Sequence, residues 1–468
     1  MRRERLPRGR TVRASAGLRP GRRSRPCSQC ERTGCHRRRG LVAAAGPENS
    51  PQALLLNFAV QPPLSPMTKY APSSPSQRVF GLDVLRSVAV LLVLACHTVA
   101  HGAPPAWLKW YFWAQGTIGV EIFYVLSGFL IGSILIKSYK TGKLRAPRDI
   151  LDFWKRRWAR TLPLYAFFLL VYLRFDYHGP ATLDVAWPFF LFLQNLAWPM
   201  APFFEHSWSL AVEEWFYLLL PCAFLAALTV LRTNGRALLA TCAAFIVLPL
   251  CARIYFGWHA QSLADVDRYV RSIVICRLDS LFIGVIAAYL RIERPAMFAR
   301  FAKSWKMPLA LFVGLTFYFA FGAPYLAVNG LLRVMFFPML SIVIAALLPA
   351  AMQVRTSGSR LFDRFIGWTS KISYSLYLGH ICMLTLGLGL FASRGISVDG
   401  QLATAALYIT LVCLYYAFAT LTYTFIEQPY IRLRDRSMGN TDDRSGAVAI
   451  TSDKQTARAE PEKVAGYH

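Results

Sequence analysis

Gly81-Leu-Asp-Val-Leu-Arg-Ser-Val-Ala-Val-Leu-Leu-Val-Leu-Ala-Cys-His97 reads as most of an apolar helix long enough to cross a bilayer, with an arginine and a histidine set into it. At ~1.5 Å rise per residue, Arg86 and His97 stand roughly 16 Å apart along the axis, about half the hydrocarbon thickness. Their spacing is also close to about three whole turns, so both side chains leave the helix on nearly the same face. Ionisable groups inside a membrane helix are costly, and two on one face point to a polar interior that they line.

The rest of the chain supports a membrane reading. Hydrophobic residues make up 55% of the 468 residues and charged residues 16%, with a mean hydropathy of +0.36. These proportions leave little room for a separate soluble domain. The formal net charge of +27 would suggest a nucleic-acid partner in a soluble protein. Here it has two other sources, and no nucleic acid is expected.

One source is residues 1–66, with fourteen Arg, no Lys and only Glu4, Glu31 and Glu48 as acids. This Pro/Gly/Ser-rich stretch has no helical or strand period, so residues 1–77 read as a disordered extension, and Met67 is a candidate start of translation. Cys27, Cys30, Cys35 and His36 imitate a zinc site, but a single C-x-x-C there is too weak a signal, and no metal is expected. The other cysteines are scattered through apolar segments and read as small hydrophobes.

The second source is the loops, and they set the orientation. Apolar segments of spanning length fall at 82–100, 111–136, 158–173, 207–231, 237–256, 273–290, 307–327, 331–352, 372–391 and 402–426. The 137–157 loop carries Lys137, Lys140, Lys143, Arg145, Arg148, Lys155, Arg156 and Arg157, which places it in the cytoplasm. A further candidate, 183–200, contains Pro188, Gln194, Asn195 and Pro199. If it does not cross, the basic loops at 232–236, 291–306 and 353–371 also fall inside. The expected fold is therefore an all-α polytopic bundle of about ten transmembrane helices over residues 78–432. Both termini are cytoplasmic, 183–200 dips into the outer face, and residues 433–468 form a disordered tail.

In that topology each buried polar residue acquires a depth. Arg86 lies toward the cytoplasm and His97 toward the exterior, with Glu121 and Ser127 on the next helix. Glu213 and Glu214 come near the outer end of the fourth span, Arg277 and Asp279 in the sixth, and His380 in the ninth. Imidazole is the side chain best suited to proton transfer near neutral pH, and a carboxylate can orient it. Against this, a histidine near a helix end is commonly structural, and Glu213, Glu214, Arg277 and Asp279 could be ion-pair members that hold helices together. Glu213 and Glu214 point about 100° apart, so one of them faces the polar path. At the inner mouth, Arg157 and Arg160 share a helix face beside Arg156, and a pair of guanidinium forks suits phosphate. The plain alternative is that all three are inside-positive anchors.

Taken in order, the motifs resemble the acyltransferase 3 family of integral membrane acyltransferases. The matching pieces are Asp83-x-x-Arg86 ahead of His97; Gly116-x-x-Gly119-Val-Glu121-x-Phe123-x-x-x-Ser127-Gly128; Arg157-x-x-Arg160 with Pro163; Trp208-Ser-Leu-x-x-Glu213; Arg277-Leu-Asp279-Ser-Leu; Ser373-Tyr-Ser-Leu-Tyr-x-x-His380; and Ile426-Glu427-x-Pro429. Glu121 departs from the pattern, since the family more often has Asp there.

The resemblance implies an acyl-CoA co-substrate, most often acetyl-CoA, on the cytoplasmic side, and a hydroxyl acceptor, often a cell-surface or exported saccharide, on the other. By motif, His97 becomes the catalytic base, with Glu121 or Glu213 orienting it. Arg86 becomes a catalytic-site or pore residue, and Arg157, Arg160 and Arg156 contact the CoA phosphates. Ser127, Glu213, Glu214, Arg277, Asp279 and His380 line the substrate path. The expected location is the bacterial inner membrane. Some relatives carry a soluble hydrolase-like domain after the last helix, and the resemblance then implies that transfer finishes within the membrane domain or on a separate periplasmic partner. A proton-coupled permease using the same buried charges is the alternative.

Overall fold

The computed structural model describes residues 79–175, 182–258, 260–322 and 329–436. The N-terminal extension 1–77, including Met67 and the Cys27–His36 cluster, lies outside these residues, as does nearly all of the tail. Twelve helices of eight residues or more follow in chain order among the described residues: α1 Phe80–Val99, α2 Ala106–Lys140, α3 Pro147–Phe175, α4 Leu183–Phe190, α5 Trp208–Leu231, α6 Asn234–Gly257, α7 Leu278–Glu293, α8 Pro295–Lys303, α9 Lys306–Gly322, α10 Gly330–Ala351, α11 Arg360–Ser393 and α12 Gln401–Thr422. No strand occurs among the described residues.

Seven of the helical segments are long and apolar enough to cross a membrane, or eight if α8 and α9, bent by 67° at their junction, are one span. The protein is thus an all-helical, multi-pass membrane protein. Two of the ten expected spans fall outside that count for visible reasons. The first half of α3 carries Lys155, Arg156, Arg157 and Arg160, which dilutes its apolar character. α7 has only 16 residues, because Val274–Cys276 ahead of it forms a separate 3₁₀ turn.

That turn is held by the segment 183–200, which makes only the eight-residue α4 followed by irregular chain. Asn195 accepts from the Val274 N–H at 2.9 Å through its backbone carbonyl and donates its side-chain amide to the carbonyls of Trp208, at 3.0 Å, and Ser272, at 2.5 Å. Chain without a regular ladder must find such partners when buried. Gln194 donates to Ser207, just ahead of α5, at 3.3 Å, so the two polar residues between Pro188 and Pro199 tie two helix entrances together.

α2 is the centre of the bundle, packed on α1 along one side and α7 along another. Small residues allow it. A Cβ on Gly128 would stand 1.9 Å from the Leu281 carbonyl oxygen, and one on Gly284 would stand 2.3 Å from that of Val125. On the α1 side, a Cβ on Gly119 would come within 2.5 Å of the Ala89 carbonyl oxygen. Backbones this close exchange dispersion contacts that lipid cannot supply, the usual basis of helix association in membranes. α11 packs on α1, where Ser87 donates to the Ile366 carbonyl at 2.9 Å and Ser370 donates to Asp83 at 2.6 Å. α3 enters through a local cap, in which Asp149 accepts from the backbone N–H groups of Arg145 and Ala146. Those bonds favour the ionised carboxylate and hold it below its ordinary pKa.

Candidate functional site

Between α1, α2, α3, α5 and α11 lies a cleft of about 800 Å³, the space at its mouth included. Its polar lining comes from Arg86 on α1, Ser127 on α2, Arg157, Arg160 and Thr161 on α3, Ser209 and Glu213 on α5, and Ser373, Tyr374 and Tyr377 on α11. Phe123, Tyr124 and leucines from α2 and α5 supply the apolar part. Residues separated by 284 positions or more are therefore neighbours, and Arg86 Nη1 reaches Ser370 Oγ at 3.4 Å.

The basic side of the cleft is organised by α5. Arg157 Nη2 donates to the Tyr217 hydroxyl at 3.0 Å, and the guanidinium lies 4.6 Å from the centre of that ring. Tyr217 donates in turn to Glu213 at 2.6 Å, and Ser127 donates to the other oxygen of Glu213 at 3.0 Å. Arg157 is thus held by an aromatic face and a hydroxyl, leaving the rest of its fork for the cleft. Arg160 pairs at 3.9 Å with Glu427, which also accepts from Ser375 at 3.0 Å. Of the three expected phosphate contacts, Arg156 is absent from the lining and exposed. The buried stripe of α3 runs through Thr161, Leu164 and Phe168, in register with Arg157, and Arg156 is turned about 100° from Arg157.

Glu213 and Glu214 separate as adjacent helical positions must. Glu213 lines the cleft, whereas Glu214 turns to Thr161, which donates to it at 2.9 Å. Glu121, Arg277 and Asp279 lie elsewhere. The Glu121 carboxylate accepts from Arg277, Ser280 and Ser341, joining α2, α7 and α10. Arg277 also faces the Phe337 ring at 3.9 Å. Asp279 pairs at 2.8 Å with Arg253 of α6, whose other donors go to the Val334 and Cys276 carbonyls. Neither ion pair belongs to the cleft lining.

His97 also stands apart from that lining. Its ring packs against His380 with centroids 4.9 Å apart, and His380 packs against His206 at 5.2 Å. Tyr377 links the two regions. It faces the cleft, exchanges a 2.6 Å hydrogen bond with Ser209, donates to the His206 carbonyl at 2.9 Å, and lies one turn from His380 on α11. No hydrogen bond joins His97 to Glu121 or Glu213 among the described residues. Both carboxylates accept from other donors: Glu121 from Arg277, Ser280 and Ser341, and Glu213 from Ser127 and Tyr217.

Tyr217, Thr161 and Arg253 belong to no motif in the sequence, yet each pairs with a charged group. Tyr217 was within reach, being one turn beyond Glu213 on the same helical face. Arg253 was a lone arginine in an apolar helix, itself a signal. Among the described residues, no group of three or more His, Cys, Asp or Glu could hold a metal ion.

Residues 79–424 match the family model described as an acyltransferase domain, the acyltransferase 3 family. Among curated proteins, the chain is similar to O-acetyltransferase OatA of Staphylococcus aureus strains NCTC 8325 and COL. Each is 29% identical over 384 residues, which covers 75% of this chain and 56% of the relative. The chain thus spans about half the length of the curated relatives it matches. No solved structure matches it.

Proposed function

Because the chain belongs to the acyltransferase 3 family, we propose that it is a membrane O-acyltransferase that moves an acetyl group from cytoplasmic acetyl-CoA to a hydroxyl of a cell-surface or exported saccharide. One observation carries the donor half of this reading: Arg86, Arg157 and Arg160 line a single cleft together with Ser127 and Glu213. Guanidinium forks recognise phosphate through paired, charge-assisted hydrogen bonds. The apolar wall of Phe123, Leu126 and Leu130 suits the pantetheine arm. On this reading, α3 and α7 complete ten crossings with both termini in the cytoplasm of an inner membrane.

His97 is the base. The acceptor hydroxyl gives its proton to a bare imidazole nitrogen as its oxygen attacks the thioester carbonyl. The carbon–sulfur bond then breaks, the thiolate leaves, and the imidazolium returns its proton to it, so His97 ends neutral. Arg86, Ser127, Glu213 and Tyr377 border the path along which the thioester approaches, and His380 borders its far end. Glu121, Arg277, Glu214 and Asp279 hold the surrounding helices. Where the acceptor is remote, a separate periplasmic protein completes the delivery.

The test is release of free CoA thiol from acetyl-CoA by the purified full-length chain, with and without glycan acceptors. Acceptor-stimulated thiol release, lost in His97→Ala, is the expected result. Substrate flux into vesicles without CoA consumption or acetyl-CoA binding would overturn the reading in favour of a proton-coupled permease.

A further inference from the structure

A general base needs one bare nitrogen toward the proton it takes, and its other N–H held by an acceptor so that the tautomer and ring angle are defined. In a serine hydrolase that acceptor is a carboxylate. The two acids expected to orient His97 are committed to other donors: Glu121 to Arg277, Ser280 and Ser341, and Glu213 to Ser127 and Tyr217. The group against the imidazole is a second imidazole, that of His380.

The state of His380 follows from its own hydrogen bond. Its Nδ1 lies 2.6 Å from the backbone carbonyl of Tyr377, and a carbonyl can only accept. Nδ1 therefore carries the proton, and in the neutral ring Nε2 is a bare lone pair. His380 is fully buried, and Nε2 has no hydrogen-bond partner among the described residues. An acceptor left without a donor in a buried site is destabilising, so its persistence calls for an explanation. The ring centroids are 4.9 Å apart, within reach of an N–H···N bond, and the terminal torsion of the half-buried His97 is soft enough to turn an N–H that way.

We propose that His380 is the positioning residue of the base: its Nε2 accepts the N–H of His97, fixing the tautomer whose other nitrogen is bare and aimed at the acceptor hydroxyl. The proposal rests on His97 being the base and replaces the expected carboxylate by a neutral acceptor. When His97 takes the hydroxyl proton, its second N–H continues to donate to His380, which itself gains and loses no proton. Tyr377 then has two duties on one residue. Its ring and hydroxyl border the donor cleft, while its carbonyl sets the tautomer of His380.

Two variants separate orientation from packing. His380→Leu fills a comparable volume without an acceptor, and His380→Gln keeps an amide oxygen that can accept. Each full-length variant is purified, checked for monodispersity, and assayed for kcat and KM in thiol release from acetyl-CoA. In parallel, the rate at which diethyl pyrocarbonate modifies His97 is followed by peptide mass spectrometry, a readout of the bare nitrogen that needs no turnover. His380→Leu is expected to lower kcat ~10- to 100-fold with KM for acetyl-CoA unchanged, and to slow modification of His97 by a similar factor. His380→Gln should restore both rates to within about threefold of the unaltered protein. If His380→Leu leaves the modification rate of His97 unchanged, or if His380→Gln is as slow as His380→Leu in a monodisperse protein, the positioning role is overturned. A protein whose His97 modification responds as expected while releasing no thiol would instead overturn the acyltransferase reading and leave standing only the hydrogen bond from His97 to His380.

Discussion

At the scale of single residues, the molecule separates its charges into two kinds. Arg157 keeps part of its fork open to the cleft, so Arg157→Ala should raise KM for acetyl-CoA about tenfold or more, because a hydrogen bond to a charged group contributes on the order of 1.5–3 kcal/mol. Arg157→Lys should recover only part of that loss, since an ammonium cannot bond phosphate bidentately or lie over the Tyr217 ring in the same way. Steady-state kinetics with varied acetyl-CoA checks both, and an unchanged KM in the alanine variant would remove Arg157 from the donor site. Glu121 is of the other kind. It is 1% exposed and bonded to donors on two neighbouring helices. Removing one partner of a buried pair strands the other, at a cost of about 3–5 kcal/mol in soluble proteins. Glu121→Ala should therefore unfold at markedly lower denaturant in mixed micelles while the folded fraction retains its affinity for acetyl-CoA. Full stability with lost turnover would return Glu121 to the chemistry.

At the scale of elements, the α2 contact with α7 depends on the absence of side chains. Gly128→Leu forces a branched chain onto the Leu281 backbone and should cost on the order of 1–3 kcal/mol or more, read as lost monodispersity and lower thermal stability in detergent. Gly314, inside α9, is the control: a Cβ there would have nothing within 4 Å, and Gly314→Ala should be neutral or slightly stabilising. Equal behaviour of the two variants would refute the close-packing account. Helices of this kind are legible in sequence where one apolar run has one boundary signal. The expected 207–231 and 402–426 correspond to Trp208–Leu231 and to Gln401–Thr422 continued by a π turn to Glu427. The start of α7 was not legible, because the backbone there is claimed by Asn195, some eighty residues earlier in the chain. Charge pairing was illegible for the same reason. Arg277 and Asp279 are two residues apart, yet they serve different partners, Glu121 on α2 and Arg253 on α6. The ordered motifs single these residues out, but only the packing divides them between cleft, histidine cluster and helix ties.

At the scale of the whole molecule, orientation decides whether the cleft can serve a cytoplasmic donor. The bond between Ser209 and Tyr377 sets the start of α5 beside the middle of the 34-residue α11. On the proposed topology the chain leading into α5 enters the bundle rather than adding a crossing, which agrees with that contact. If that segment does not cross, the positive loops share one side, as the insertion bias of Lys and Arg requires. Introduced cysteines test this in intact cells with a membrane-impermeant maleimide, each variant compared with the otherwise identical parent so that the seven described native cysteines set the background. Lys143→Cys and Arg236→Cys, in basic loops, should gain no label until the cells are opened. Gln261→Cys and Ser397→Cys, on the opposite turns, should label at once. The reverse pattern would put the Arg157 and Arg160 end of the cleft outside, where a cytoplasmic thioester could not reach it. Labelling of Lys143→Cys and Arg236→Cys on different sides would mean that 183–200 does cross, and the bundle would then need an odd number of spans.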